Sequence, residues 1–373
     1  MNDEIPSPDQ VPGAPHPRET ARLFGQDAAE QAFLTAYNSD RLHHGWLLTG
    51  PRGVGKATLA WRIARFLLAT PLANDGGLFG APPPPETLDI DRDHPVSRRI
   101  LAGAEPGLAA IARSLNDQGR LRNEIVVDDI RKLGKFFGLS SADGGRRVVI
   151  VDSADEMNVS AANALLKMLE EPPARTTLLL VSHQPSRLLP TIRSRCRTLR
   201  LGPLSAGDMQ DALSQTGTTL PTHPEYLAAL AAGSVGDAVR LINLGGLEIY
   251  AELIAILGTL PRLDRQRALA LAEAAAQRGA AERFDLLLTL IDIALSRLAL
   301  TGATGAPPTS EAAPNEAETL ARLSDSSDQA RRWAEVAATI TARTRHGQAV
   351  NLDPAALVLD TVFKIQETAG QVR

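Results

Sequence analysis

The sequence predicts an α/β fold built on a parallel sheet, followed by a small helical segment and a longer all-helical one. Three observations predict it. A glycine-rich turn, Gly50-Pro51-Arg52-Gly53-Val54-Gly55-Lys56-Ala57-Thr58, joins a short apolar run to an amphipathic one. Apolar runs alternate with helical patterns as far as about residue 202, the order that builds a parallel sheet with ligands at the strand C-terminal ends. Strand signals vanish from about Leu204, leaving helical, Ala/Leu-rich periodicity to the end.

Composition sets bounds on function. At 373 residues the chain is long enough for two or three domains with real cores. Lys+Arg (39) nearly balance Asp+Glu (43), so no global field favours nucleic acid or an acidic membrane, and any DNA contact must be local. The single cysteine, Cys196, excludes an internal disulfide and a zinc site of several thiolates, and fits a reducing compartment. The acidic, Pro-rich start has no basic end and apolar core, so it does not read as a signal peptide. The most apolar later run, Phe284 to Leu300, carries Asp285, Asp292 and Arg297 and reads as too short to span a bilayer. The expectation is a soluble, cytoplasmic protein.

Taken in order, residues 1–22 are polar and aperiodic and read as a loose tail. A helix is expected over Asp27–Asn38, then a buried strand over Gly45–Thr49. After the glycine-rich turn, Leu59, Ile63 and Leu67 recur at i, i+4, i+8, one face of a helix. Pro71 to Pro85 reads as a surface insertion, with order resuming near Glu124. Asp128-Asp129 opens a helix, and Arg147–Asp152 is a β-branched strand ending in a carboxylate. Helix Ser160–Glu171 stops at Pro172-Pro173, and strand Leu178–Ser182 leads through a short helix to Arg193-Ser194-Arg195-Cys196. Ser205 caps the next helix and Gly233-Ser234 starts another, a small module to about residue 246. Beyond it, Asp264 and Gly279 bracket one helix, Thr301–Asn315 is a polar loop, and Asp353-Pro354 opens the last helix.

The turn carries the chemistry. In the phosphate-gripping pattern G-x-x-x-x-G-K-[ST], glycines let backbone N–H groups close on phosphate oxygens, Lys reaches the outer phosphates, and a hydroxyl holds Mg²⁺. Gly50, Gly53, Gly55 and Lys56 fit, but Ala57 occupies the hydroxyl position and Thr58 comes one residue late, about 100° around the helix. Asp152 ends an apolar strand about a hundred residues on, where a carboxylate orients Mg²⁺. The candidate nucleotide site is therefore Gly50, Gly53, Gly55, Lys56, Thr58 and Asp152, in degenerate form.

Asn163-Ala164-Leu165-Leu166-Lys167-Met168-Leu169-Glu170-Glu171-Pro172-Pro173, followed by Ile192-Arg193-Ser194-Arg195-Cys196, is where the chain resembles a known family. It is similar to the AAA+ clamp-loader subunits of bacterial DNA polymerase III, whose hallmark is the Ser-Arg-Cys triplet. Gly25-Gln26 and Leu42-His43-His44-Gly45 fit the same pattern, which covers most of residues 23–245, with a weaker echo in Asn351-Leu352-Asp353-Pro354. The resemblance implies an AAA+ core over 23–202, a helical lid over 203–246 and a helical oligomerisation collar over 247–373. It also implies that Arg195 reaches across a subunit boundary to ATP held by a neighbour. A guanidinium there stabilises charge on the departing phosphoryl group, worth about 10³–10⁵ in rate. Hydrolysing members carry Glu after the strand-ending Asp, where this chain has Ser153, and an Arg in a Gly-Ser-x-Arg-Asp-Ala motif, where it has Gly236.

Three weakenings (Ala57, Ser153, Gly236) beside a retained Arg195 imply the subunit type that completes a neighbour's site and hydrolyses nothing itself. It would be a non-catalytic member of a DNA-directed DNA polymerase holoenzyme. The implied partners are gamma/tau-like motor subunits, a delta-like subunit, the sliding clamp and primer–template DNA, with no membrane. The loop is compatible with ATP but is not expected to cleave it. Many family members hold a four-cysteine zinc module between the loop and the second acidic motif; the cysteine-free Pro71–Ala104 segment predicts none here. The alternative is an ATP-hydrolysing gamma/tau-like motor subunit in which Thr58 and Glu156 rescue the magnesium and water roles.

Overall fold

A computed structural model describes residues 10–39, 42–70, 83–138, 145–277 and 279–371. They form two compact units. One takes in the described residues to Thr218 together with Gly233–Asp237, and the other Thr219–Ala232 together with the described residues from Ala238 onward.

The first unit runs α1 (Asp27–Asn38), β1 (Gly45–Thr49), α2 (Lys56–Ala69), α3 (Pro95–Leu101), β2 (Leu108–Ile111), α4 (Val127–Gly138), β3 (Arg147–Val151), α5 (Val159–Glu170), β4 (Thr176–Ser182), α6 (Pro190–Arg193), β5 (Arg197–Arg200) and α7 (Ala206–Gln215). The strands form one parallel sheet in the order β2-β3-β4-β1-β5. Central β1 and β4 are buried at every position, as expected when helices cover both faces. Leu47 joins the apolar cluster that α4 and α5 supply through Ile130, Leu133, Ala161, Leu165 and Leu169. Its neighbour Trp46 points the other way, its ring 5.0 Å from Phe33 of α1, because successive strand side chains alternate faces. The β1–α2 turn therefore stands at the C-terminal edge of the sheet, between the ends of β4 and β5 and one strand away from β3.

Two elements lie in the interval read as unordered. α3 starts with Pro95 at its first position, and the His94 ring accepts the Val96 N–H. β2 is a four-residue edge strand, mostly half-exposed. Of the expected surface insertion, residues 71–82 lie outside the described residues. Residues 10–22, expected within a loose tail, make definite contacts with α2. Arg62 Nη1 donates to Ala21 O at 3.0 Å, Arg65 Nη2 to Arg18 O at 2.6 Å, and the His16 ring meets Trp61 edge-on at 5.6 Å. Buried arginines on α2 need acceptors, and the backbone of this segment supplies them.

The second unit contains α8 (Pro224–Ala231), α9 (Val235–Leu244, whose first three residues belong to the first unit), α10 (Gly246–Thr259), α11 (Arg265–Ala275), α12 (Ala281–Thr304), α13 (Glu316–Leu323), α14 (Ser327–Ala349) and α15 (Pro354–Gly370). The side chains of Ser205, Ser234, Asp264 and Asp353 accept N–H groups of the first turns they precede, as expected. Gly279 does not close α11: that helix ends at Ala275, where the Ala276 N–H bonds both Ala272 O and Glu273 O, and Gly279 lies in the turn beyond. α12 runs past the apolar stretch read from the sequence. At 24 residues it is long and apolar enough to cross a membrane, yet here Leu287, Leu290, Ile291, Ala294 and Leu298 are core residues of a helical bundle. Within the bundle a fully buried Glu316 carboxylate accepts from Tyr250 OH (2.6 Å), Arg297 Nε (2.7 Å) and Nη2 (3.0 Å), and the Ala312 N–H (2.6 Å). That network ties α10, α12 and α13 together.

Candidate functional site

The glycine-rich turn leaves β1 at Thr49 and enters α2 at Lys56. Lys56 is 3% exposed, and its ammonium is turned back onto its own loop, donating to Gly50 O at 2.8 Å and to Pro51 O. Burial lowers its pKa to about 8 against the opposing pull of Asp152 and Asp155. Gln26 stitches the loop to the exit of β5, donating to Val54 O and Gly202 O.

Gly53, at φ +72°, packs tightly against the first turn of α9. Its carbonyl accepts the Gly236 N–H at 3.2 Å. A Cβ on Gly53 would collide with Ser234 Oγ and stand 2.8 Å from Gly236 N; one on Gly236 would stand 3.0 Å from Gly53 Cα and 3.4 Å from Val11. The first turn of α9 and the loop meet backbone to backbone; a side chain at Gly53 is excluded, and one at Gly236 would need the loop to give by a few tenths of an ångström. Leu23 closes over Gly55, its Cδ1 2.5 Å from where a Cβ would lie.

At the sheet edge, Asp152 is 8% exposed and its N–H bonds Ile111 O. Ser153 stands in the left-handed region (φ +58°) with Oγ hydrogen-bonded to His183 Nε2 at 3.2 Å. Asp155 accepts the backbone N–H groups of His183 and Gln184 at 3.0 and 3.1 Å. Burial, reinforced by the charges of Lys56 and Arg52, pushes His183 down to about 4, so it is neutral at pH 7. Glu156 is held by Arg52 and Arg113, each at 2.9 Å. His183 and Asp155 are not evident from the sequence; their signal is position, since His183 directly follows β4 and Asp155 lies in the short turn after β3.

Arg195 lies apart from these groups in sequence, between α6 and β5. Its side chain is 38% exposed, with Nη2 2.9 Å from Glu170 Oε1 and Nη1 donating to Thr191 O at 3.1 Å. Arg193, Arg197 and Arg200 are exposed, Arg197 lying over the Trp46 ring at 5.5 Å. Burial pushes the Cys196 thiol up to about 12, which makes it an inert apolar filler.

The structure thus brings Gly50, Gly53, Gly55, Lys56 and Asp152 to one edge of the sheet. Thr58, half-exposed on α2, follows Ala57, whose methyl offers no oxygen to a metal. Of the groups a magnesium–nucleoside triphosphate requires, the loop glycines and Lys56 are present and the hydroxyl at position 57 is missing.

Residues 25–205 match a family model described as DNA polymerase III, delta subunit. DNA polymerase III subunit delta' of Pseudomonas aeruginosa is 38% identical over 217 residues, 57% of this chain and 59% of that protein. Its Escherichia coli counterpart is 32% identical over 215 residues, 57% of this chain and 58% of that protein. DNA polymerase III subunit tau of Salmonella typhimurium is 30% identical over 276 residues, 69% of this chain and 38% of that protein. The chain spans a little over half the length of the delta' relatives it matches.

Proposed function

Because this chain belongs, through residues 25–205, to the AAA+ clamp-loader family of DNA polymerase III, we propose that it works as a delta-prime-like subunit of the loader. It donates Arg195 to ATP bound by a neighbouring gamma/tau-like motor subunit and cleaves none itself. With a delta-like subunit it helps place the sliding clamp on primer–template DNA in the cytoplasm.

The observation that carries this reading is the backbone contact between Gly53 and Gly236. Where motor members of the family hold a phosphate-sensing arginine, this chain packs a bare backbone onto its own phosphate loop. Lys56, which would engage a triphosphate, donates to its own loop, while the one arginine of the Ser-Arg-Cys triplet stands at the surface. A guanidinium is always charged and presents a rigid fork of donors, which suits it to phosphate oxygens on another molecule.

The tau relative, aligned over 69% of the chain, favours the motor reading. Against it, Glu156, the residue that would activate water, has one carboxylate oxygen held by Arg52 and the other by Arg113, so both are already engaged. The test is Arg195→Ala in a reconstituted loader with clamp and primed DNA. Stimulated ATP turnover is expected to fall by about 10³–10⁵ if the arginine acts as a trans finger, and Lys56→Ala to have a far smaller effect. Unchanged turnover with Arg195→Ala removes that residue from the mechanism; an equal loss with Lys56→Ala restores the motor reading.

A further inference from the structure

Glu170 occupies an unfavourable place. It is the last residue of α5, followed by Glu171, and a carboxylate at a helix C-terminus faces the negative end of the helix dipole. Its Oε1 lies 2.9 Å from Arg195 Nη2, with the two side chains 44% and 38% exposed. The backbone beside that pair is fixed. A Cβ on Gly45 would stand 2.9 Å from Leu169 Cδ2, 3.1 Å from Arg195 O and 3.4 Å from Cys196 Sγ. His44 Nε2 is hydrogen-bonded to Leu169 O at 2.9 Å. The main chain at Arg195 and the end of α5 are therefore both pressed against the start of β1. What remains free to vary is the long Arg195 side chain, tethered by the Glu170 carboxylate and by Thr191 O.

We propose that Glu170 is a positioning residue for Arg195, holding one side of the guanidinium so that the arginine is presented to the neighbour's triphosphate in a preset rotamer. This rests on the trans-arginine reading above and adds a second residue to it. An arginine side chain loses considerable rotamer freedom when it engages a ligand, and a carboxylate that restricts it beforehand moves part of that loss to the resting state. The gain is bounded by what a half-exposed ion pair supplies, about two- to fivefold in rate.

The experiment measures stimulated ATP turnover by the full reconstituted loader with clamp and primed DNA, as kcat and KM separately. The variants are Glu170→Gln, Glu170→Asp, Arg195→Ala and the Glu170→Gln/Arg195→Ala double mutant. Glu170→Gln is expected to lower kcat about two- to fivefold with KM unchanged, because ATP is bound by the neighbour's own loop. Glu170→Asp recovers part of the loss, and the double mutant is no slower than Arg195→Ala alone. The thermal midpoint of the isolated full chain should not fall with Glu170→Gln, since removing a carboxylate from a helix C-terminus relieves its dipole repulsion. An unchanged or raised kcat for Glu170→Gln, with Arg195→Ala still crippling, overturns the positioning role and leaves the trans-arginine reading standing. A double mutant slower than Arg195→Ala shows that Glu170 acts elsewhere and also overturns it. Full turnover with Arg195→Ala brings down the trans-arginine reading and this inference with it.

Discussion

Gly53→Ala probes the contact between the phosphate loop and the first turn of α9. Gly53 and Gly119 share the same left-handed backbone, φ +72° in both, but a Cβ on Gly119 would meet nothing within 4 Å. At Gly119 alanine therefore carries only the left-handed strain, about 1–2 kcal/mol. At Gly53 the same strain is joined by collision with Ser234 Oγ and with Gly236 N, 2.8 Å away. Forcing an extra carbon into a close-packed contact costs about 1–3 kcal/mol, so Gly53→Ala should lose about 2–5 kcal/mol in all. The difference between the variants isolates the packing contribution at about 1–3 kcal/mol. Urea unfolding of the full chain, followed by tryptophan fluorescence, reads it directly, because Trp46 and Trp61, two of the three tryptophans, lie in the first unit. Equal losses at the two glycines would refute the tight contact.

Two further outcomes concern stability. Glu316→Ala strands the partly buried Arg297 and should cost about 3–5 kcal/mol in thermal or urea unfolding; Tyr250→Phe, which removes one hydrogen bond to the same charge, should cost about 1.5–3 kcal/mol. A larger loss for Tyr250→Phe would contradict that ordering. His183 is held near 4 in the folded chain, below the ordinary histidine value of 6.5, so between those values the unfolded chain binds more protons. Its contribution is fully present above the unfolded value and is lost as pH falls through the folded one, on the order of 2 kcal/mol after allowing for solvent screening. Urea midpoints for the parent chain and His183→Asn between pH 7 and 4 should differ by this slope; parallel curves would refute it.

Much of the sheet was legible because its central strands are continuous apolar runs. Gly45–Thr49 and Arg147–Val151 carry that signal, and Asp27–Asn38 and the caps at Ser205, Ser234, Asp264 and Asp353 announce helices locally. β2 escaped because an edge strand of Leu108-Ala109-Ala110-Ile111 is short, half-exposed and built partly of alanine, a weak strand former. α3 escaped because histidine is an unusual cap and the helix has only seven residues. At the site, the sequence displayed each weakened residue but not its neighbours. Ala57 could be read against a pattern, whereas Gly236 on Gly53 and Glu170 beside Arg195 are tertiary contacts between residues far apart in the chain. Local spacing carries no information about such pairs. For the same reason residues 10–22 read as a tail: their partners are buried arginines on α2, and a polar, aperiodic segment does not reveal that its carbonyls are acceptors.

The most direct measurement is inorganic phosphate release from ATP by the purified full chain, alone and then with its proposed motor partners, clamp and primed DNA. The chain alone should release none above background, and the mixture should turn over only while Arg195 is present. Sustained release by the chain alone, abolished by Lys56→Ala, would mean that its own loop performs the chemistry assigned here to a neighbour.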